Sequence, residues 1–215
     1  RTPGSIAMRL NNFASVDPYH SQRGIKGLPG GKKQVEPIWH EFINSKEELL
    51  FEGERILANL ESTSIENKYD RILQGIEGLE GITKLREVKT RVNQYVFREI
   101  VLANYGGKCA ITGINIPDLL VASHIKPWSK FSEERLNPQN GIAINALHDK
   151  AFDNGLMTIT PDFKILISAR LLKKAVFHNS IDFFRPFHNK TIHLPAKFFP
   201  DPAFLKYHND ERFKG

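Results

Sequence analysis

The chain has 215 residues, of which 40% are hydrophobic and 25% charged, and it carries a formal net charge of +6. This length can bury one substantial core and a smaller second one, and the positive balance favours a polyanion such as nucleic acid as the partner. The longest apolar runs fall short of the ~18 residues of a membrane span, and the opening residues lack the apolar core of a secretory signal. We therefore expect a cytoplasmic protein with no membrane contact.

The first eighty residues are predicted to form a helical N-terminal region, residues 1–80. Apolar residues recur at helical spacing over 5–13 and again over 37–60, and the segment between them, 21–33, is a loop rich in Gly and Lys. The opening sequence is similar to the turn of a helix-turn-helix unit, which would make this region DNA-binding, but a plain packing helix fits the residues equally well. Because the chain begins with Arg, we expect this region to be truncated.

Three glycines break the helical pattern, and they place the domain boundary between residues 74 and 84. The second domain, 81–215, opens with an amphipathic helix over 86–108. Arg91 and Arg98 lie on that helix, and we expect them to contact phosphates of a nucleic acid.

The centre of the second domain is predicted to be a strand, a loop, a returning strand and a helix. Residues 121–125 alternate and are β-branched, 126–139 has the Pro, Ser and charged residues of a loop, and 141–144 is a short apolar run. Asn145 is a plausible N-cap of the helix that follows and stops at Asn154 and Gly155. A β-hairpin over 156–168 and an irregular C-terminal segment complete the prediction.

Three polar residues stand at informative places in this pattern. His124 lies near the end of the first strand, Asn140 precedes the returning strand, and His148 is in the first turn of the helix. A general base, a residue that fixes a loop, and a metal ligand are the parts that a one-metal phosphodiesterase needs.

This arrangement resembles the ββα-metal fold of HNH endonucleases. The boxes Ser123-His-Ile-Lys-Pro-Trp128 and Leu147-His-Asp-Lys-Ala-Phe-Asp153 are similar to those of restriction-like bacterial HNH proteins. The resemblance implies an α+β fold, in which a helical N-terminal region precedes a ββα-metal nuclease domain that is followed by a β-hairpin.

The resemblance also implies a role for each of the three residues. His124 is expected to be the general base, and an imidazole with an ordinary pKa near ~6.5 suits that task. Asn140 is expected to hold the loop and the base in place through its amide. His148 is expected to bind the divalent cation that stabilises charge on the phosphate and on the leaving oxygen.

The expected metal site departs from many relatives at one position, because Ser123 stands where they have an Asp or a second His before the base. Water and substrate phosphates are expected to supply most of the remaining ligands, with Asp153 as a contribution from the protein and Asp149 as a surface or capping carboxylate. Mg²⁺ is the expected ion, with Mn²⁺, Ni²⁺ and Zn²⁺ as alternatives. Cys109 is the single cysteine, so no structural zinc ribbon can form.

The implied function is metal-dependent hydrolysis of DNA phosphodiester bonds, in a restriction or antiphage setting. Lys126 and Lys130 lie in the loop that would flank the scissile phosphate. Because one site cuts one strand, double-strand cleavage would need two encounters or a homodimer. A catalytically silent DNA-binding module and a toxin-like nuclease that attacks RNA or any DNA are the alternatives.

Overall fold

A computed structural model describes residues 2–76, 78–174 and 182–215. The chain divides into two compact units, an N-terminal one that ends at Lys68 and a C-terminal one that begins at Tyr69. None of the helices in the described ranges is long and apolar enough to cross a membrane.

The N-terminal unit is helical, as predicted. Its helices are α1 (Pro3–Ala14), α2 (Pro18–Gln22), α3 (Lys32–Phe42), α4 (Lys46–Leu60) and α5 (Ile65–Lys68). The predicted single helix over 37–60 is wrong in detail, since α3 and α4 are separate helices. Asn44 and Ser45 stand between them, and such side chains compete with helical backbone bonds. The predicted loop over 21–33 contains the end of α2 and the start of α3.

The C-terminal unit begins earlier than the predicted boundary between 74 and 84. The segment before the glycines is packed rather than free, because Tyr69, Leu73 and Ile76 are buried. The guanidinium of Arg91 donates hydrogen bonds to the carbonyl oxygens of Ile72 at 3.1 Å and Gln74 at 2.7 Å, which fastens this segment to the following helix.

The C-terminal unit combines helices with two small antiparallel strand pairs. Its elements are α6 (Gly81–Asn104), β1 (Leu120–His124), β2 (Gly141–Asn145), α7 (Ala146–Asp153), β3 (Met157–Ile159), β4 (Ile165–Ile167), α8 (Ala169–Lys174) and α9 (Pro202–Glu211). β1 pairs with β2, and β3 with β4. The predicted strand pair, helix and hairpin are therefore confirmed, and the fold class is α+β.

Helix α6 packs on the β1–β2 pair through a buried apolar stripe that includes Phe97 and Val101. Gly141 permits this close approach. A Cβ at that position would stand 2.4 Å from Val101 Cγ2 and 2.8 Å from Phe97 Cζ, which is nearer than side chains can come. Since Gly141 is the register partner of His124, the contact fixes α6 directly beside the predicted base.

The C-terminal segment forms no helix or strand over 188–201, in line with the predicted irregular chain, and then forms α9, which the sequence analysis did not predict. Asp201 caps α9 by accepting a hydrogen bond from the Ala203 backbone N–H at 2.7 Å, and Pro202 occupies the first turn. His208 of this helix is buried, and its ring stacks on Phe152 with 3.7 Å between centroids. The last helix therefore belongs to the same core as α7.

Candidate active site

His124 lies at the end of β1, where its ring is held on three sides. The ring stacks on Phe97, with centroids 3.9 Å apart, and meets the edge of Trp128 at 5.3 Å. Its Nε2–H donates a hydrogen bond to the carbonyl oxygen of Arg135 at 2.9 Å. This bond places the proton on Nε2, so the basic lone pair is on Nδ1.

The environment of His124 favours its neutral form. Burial lowers the pKa of the imidazole most, while the Arg135 carbonyl and the negative charge of Asp153 work in the opposite direction. The result is a pKa below the ordinary histidine value, so that the ring is able to accept a proton at neutral pH.

Asn140 is fully buried and spans the loop between β1 and β2. Its Oδ1 accepts from the Lys126 backbone N–H at 2.8 Å, and its Nδ2 donates to the carbonyl oxygens of Lys126 at 3.2 Å and Glu134 at 3.0 Å. Glu134 immediately precedes Arg135, whose carbonyl holds the His124 ring. One amide therefore fixes Lys126, two residues after the predicted base, and the residue next to Arg135, whose carbonyl orients the base.

A cleft of about 640 Å³ opens in front of His124. Its walls come from the end of β1, the loop after it, and the outer face of α7. Asp149 and Asp153 line it from α7, one helical turn apart and therefore on the same face.

The two carboxylates are not equivalent. Burial raises the pKa of Asp149, the negative charge of Asp153 raises it further, and the Ser123 hydroxyl lowers it. The Ser123 hydroxyl is near enough to this carboxylate to influence its pKa, and its buried Oγ has no other partner among the described residues. A half-buried carboxylate, a neighbouring carboxylate and an unsatisfied hydroxyl thus share one wall of the cleft.

A family model described as HNH endonuclease matches residues 109–160, which contain both strands of the β1–β2 pair, α7 and β3. This match supports the resemblance of this part of the chain to HNH endonucleases. A search of curated proteins found no match for the chain. An HNH domain indicates a nuclease that acts on DNA, and such nucleases generally use a divalent metal ion.

His148 lies in the first turn of α7, as the sequence predicts, but its ring faces the interior. The ring is buried, Nδ1 lies 2.9 Å from Asn145 Oδ1, and Nε2–H donates to the Phe183 carbonyl oxygen at 2.9 Å. His148 is also not among the residues that line the cleft. The role of His148 as a metal ligand stays a prediction, and in this structure the first turn of α7 directs its ring away from the cleft.

The predicted DNA-contacting residues separate into two groups. Lys130 is exposed and lines the cleft. The ammonium of Lys126 instead lies over the rings of Phe131, Phe204 and Tyr207, at 4.7, 4.4 and 5.8 Å from their centroids.

Arg91 and Arg98 of α6 bind backbone carbonyls of the fold. Arg91 fastens the preceding segment, and Arg98 donates to the carbonyl oxygens of Leu120 at 2.7 Å and Pro117 at 2.9 Å. Their guanidinium groups are thus occupied by backbone carbonyls, which the helical periodicity of the sequence could not reveal.

The donor set of the HNH domain suits a hard cation that keeps part of its hydration shell. No group of three or more His, Cys, Asp or Glu that could hold a metal occurs within the described ranges. Mg²⁺, however, is commonly bound by one or two carboxylates together with water and substrate phosphates. Asp149 and Asp153 meet that requirement, and the unsatisfied Ser123 hydroxyl adds a third oxygen beside them.

Sequence reasoning considered Asp149 as an alternative metal ligand but favoured a surface or capping role for it. The signal that could have identified it is its spacing from Asp153, since carboxylates four residues apart on a short helix share a face, whereas His148 and Asp153 do not. Arg212 and Gln94, which also line the cleft, come from distant parts of the chain and carry no local signal.

Proposed function

We propose that the chain is a metal-dependent endonuclease that hydrolyses DNA phosphodiester bonds. His124 is the general base, and Asp149 and Asp153 hold the cation. The observation that carries the proposal is the shared cleft: the histidine with its proton fixed on Nε2 and the two carboxylates line the same cavity.

The role of His124 follows from its tautomer. Nδ1 takes a proton from water, the water oxygen bonds to phosphorus, and the bond from phosphorus to the 3′ oxygen breaks. The leaving oxygen takes its proton from solvent, which leaves 5′-phosphate and 3′-hydroxyl ends. Once protonated, the ring still donates from Nε2 to Arg135, and the charge of Asp153 stabilises the imidazolium.

Asp149 and Asp153 would supply oxygen ligands from one face of α7. A divalent cation bound there contributes positive charge beside the phosphate and the leaving oxygen. Because the pKa of Asp149 is raised, this carboxyl must lose a proton at higher pH than an ordinary Asp, so cation binding is expected to weaken in acid. Mg²⁺ is the proposed ion, with Mn²⁺ as a close substitute.

Lys130 and Arg212 are proposed to contact the DNA backbone around the cleft. Lys130 is exposed at the rim, and Arg212 lines the wall from the end of α9, where its Nη2 donates to the Asp153 carbonyl oxygen at 2.7 Å. Positive charge at these positions would offset the repulsion between the two carboxylates and an incoming phosphate.

Nicking of supercoiled plasmid tests this proposal. We expect cleavage in Mg²⁺ or Mn²⁺ that EDTA abolishes, with 5′-phosphate ends that a ligase can reseal. DNA binding that survives while no divalent ion supports cleavage would instead identify a silent DNA-binding module. Equal cleavage of RNA and DNA would favour the toxin-like nuclease.

Restriction or antiphage defence is the proposed setting, and it rests on the resemblance to restriction-like HNH proteins. We expect phage plating to fall in cells that express the active chain and to recover with His124→Ala. Plating that is identical for both chains would contradict this setting without affecting the nuclease activity.

A homodimer is the proposed route to double-strand cleavage, because one site cuts one strand. The yield of linear plasmid should then rise with the fraction of dimer as the protein concentration is raised, and sedimentation should detect that dimer. Linearisation that follows only from independent nicks would contradict it.

A further inference from the structure

A second cavity, of about 270 Å³, lies beside His124 on the side of α6. It adjoins the cleft, and the two cavities share wall residues. The shared residues are Gln94, Val121, Ala122, His124 and Trp128. Because His124 lines both cavities, a strand whose phosphate is attacked from His124 would run close to this second cavity.

The cavity is mostly apolar and has an aromatic wall. Leu120, Val121 and the small side chain of Ala122 line it from β1, and Phe97 lines it from α6. The indole of Trp128 is held in place, because the Arg135 guanidinium lies over its ring at 5.1 Å and Arg135 Nε donates to the Trp128 carbonyl oxygen at 2.8 Å. Flat apolar walls and a fixed indole suit a planar aromatic ligand.

One polar group of the rim is available to such a ligand. Gln94 is exposed on α6, and its amide forms no hydrogen bond with the described residues. A free amide presents a donor and an acceptor side by side, which is the pattern that pairs with the edge of a base. Arg98 also lines the cavity, but the bonds to Leu120 and Pro117 hold its guanidinium in the wall as a fixed positive charge.

We propose that this cavity receives one unstacked nucleobase of the strand that is cut, next to the scissile phosphodiester, and that Gln94 reads the edge of that base. The proposal rests on the proposed nuclease function, since His124 sets the place of the phosphate. A base in a duplex cannot enter without leaving its stack, so single-stranded or locally opened DNA is the favoured substrate of this site.

Short single-stranded DNA with 2-aminopurine at successive positions tests the placement. The full chain is used in EDTA, which prevents cleavage. We expect the probe fluorescence to change at one position only, and Ala122→Phe, which fills the cavity, to abolish that change while circular dichroism is unaltered. Equal signals at all positions, or a positional signal that persists in a folded Ala122→Phe chain, would overturn the proposal.

Sequencing of cut ends tests the reading by Gln94. The wild-type chain should prefer one base beside the cut, and Gln94→Leu should reduce that preference by roughly 5- to 100-fold while cleavage continues. Gln22→Leu, at an exposed glutamine of α2, is the matched control and should leave the preference intact. An unchanged preference in Gln94→Leu would overturn this step.

The two proposals fail in different ways. Loss of all metal-dependent cleavage with a retained positional fluorescence signal would refute the nuclease and keep the base site. Robust cleavage with no positional signal and no base preference would refute the base site and keep the nuclease.

Discussion

Asn140→Ala removes the amide that ties together both ends of the loop between β1 and β2. Three hydrogen bonds of 2.8, 3.2 and 3.0 Å are lost, and one backbone N–H and two carbonyl oxygens lose their partner inside the protein. At about 1 kcal/mol net for each bond, the free energy of unfolding should fall by about 3 kcal/mol. Typical domains retain a folded majority after such a loss.

Urea denaturation of the C-terminal unit measures this loss. Trp128 fluorescence in a Trp39→Phe background reports on that unit, since the chain has two tryptophans. Asn137→Ala is the matched control in the same loop. Its partly buried side chain caps one turn and donates to the Glu134 carboxylate near the surface, so we expect a loss of about 1–2 kcal/mol. A loss below about 1 kcal/mol for Asn140→Ala, or equal losses for both variants, would refute the role assigned to the amide.

Calorimetric titration with Mn²⁺ should show that Asp149→Asn weakens cation binding at least tenfold, whereas His148→Gln leaves the affinity nearly unchanged. The opposite result for the two variants would identify His148 as the ligand. Gly141→Ala should lower the free energy of unfolding by about 1–3 kcal/mol, because the new methyl group overlaps Phe97, and an unchanged urea midpoint would contradict the close packing. Burial lowers the pKa of His208 to about 4, so the unfolded chain binds more protons and stability should fall by ~3 kcal/mol as pH drops from ~6.5 towards 4. His208→Gln should flatten that pH dependence, and parallel profiles for the two chains would count against it.

The strand–loop–strand–helix of the site could be predicted because its signals are local. Alternation marks β1, loop residues follow it, and Asn145 caps α7 by accepting from the His148 N–H at 3.0 Å. The helix of the C-terminal segment was missed although Asp201 and Pro202 are ordinary start signals, since the surrounding Phe, Pro and His residues suggested irregular chain.

The chemistry of α7 could be predicted only in part. The box that contains His148 and Asp149 identifies the helix, but which of two adjacent side chains faces the cleft depends on how α7 rotates against the core. His148 faces inward, where its Nε2–H donates to the Phe183 carbonyl oxygen, and Phe183 is thirty-five positions away in the chain. Likewise, the carbonyls that occupy Arg91 and Arg98 come from segments brought to α6 by the fold.

The central claim is tested most directly by comparing the single-turnover nicking rates of His124→Ala and the wild-type chain. Both rates are measured at saturating Mg²⁺, and DNA binding is measured in parallel. General-base catalysis predicts a fall of about 10²–10⁴-fold with little change in DNA affinity. A rate within tenfold of the wild type would contradict the assignment of His124 as the base and, with it, the proposed reaction centre.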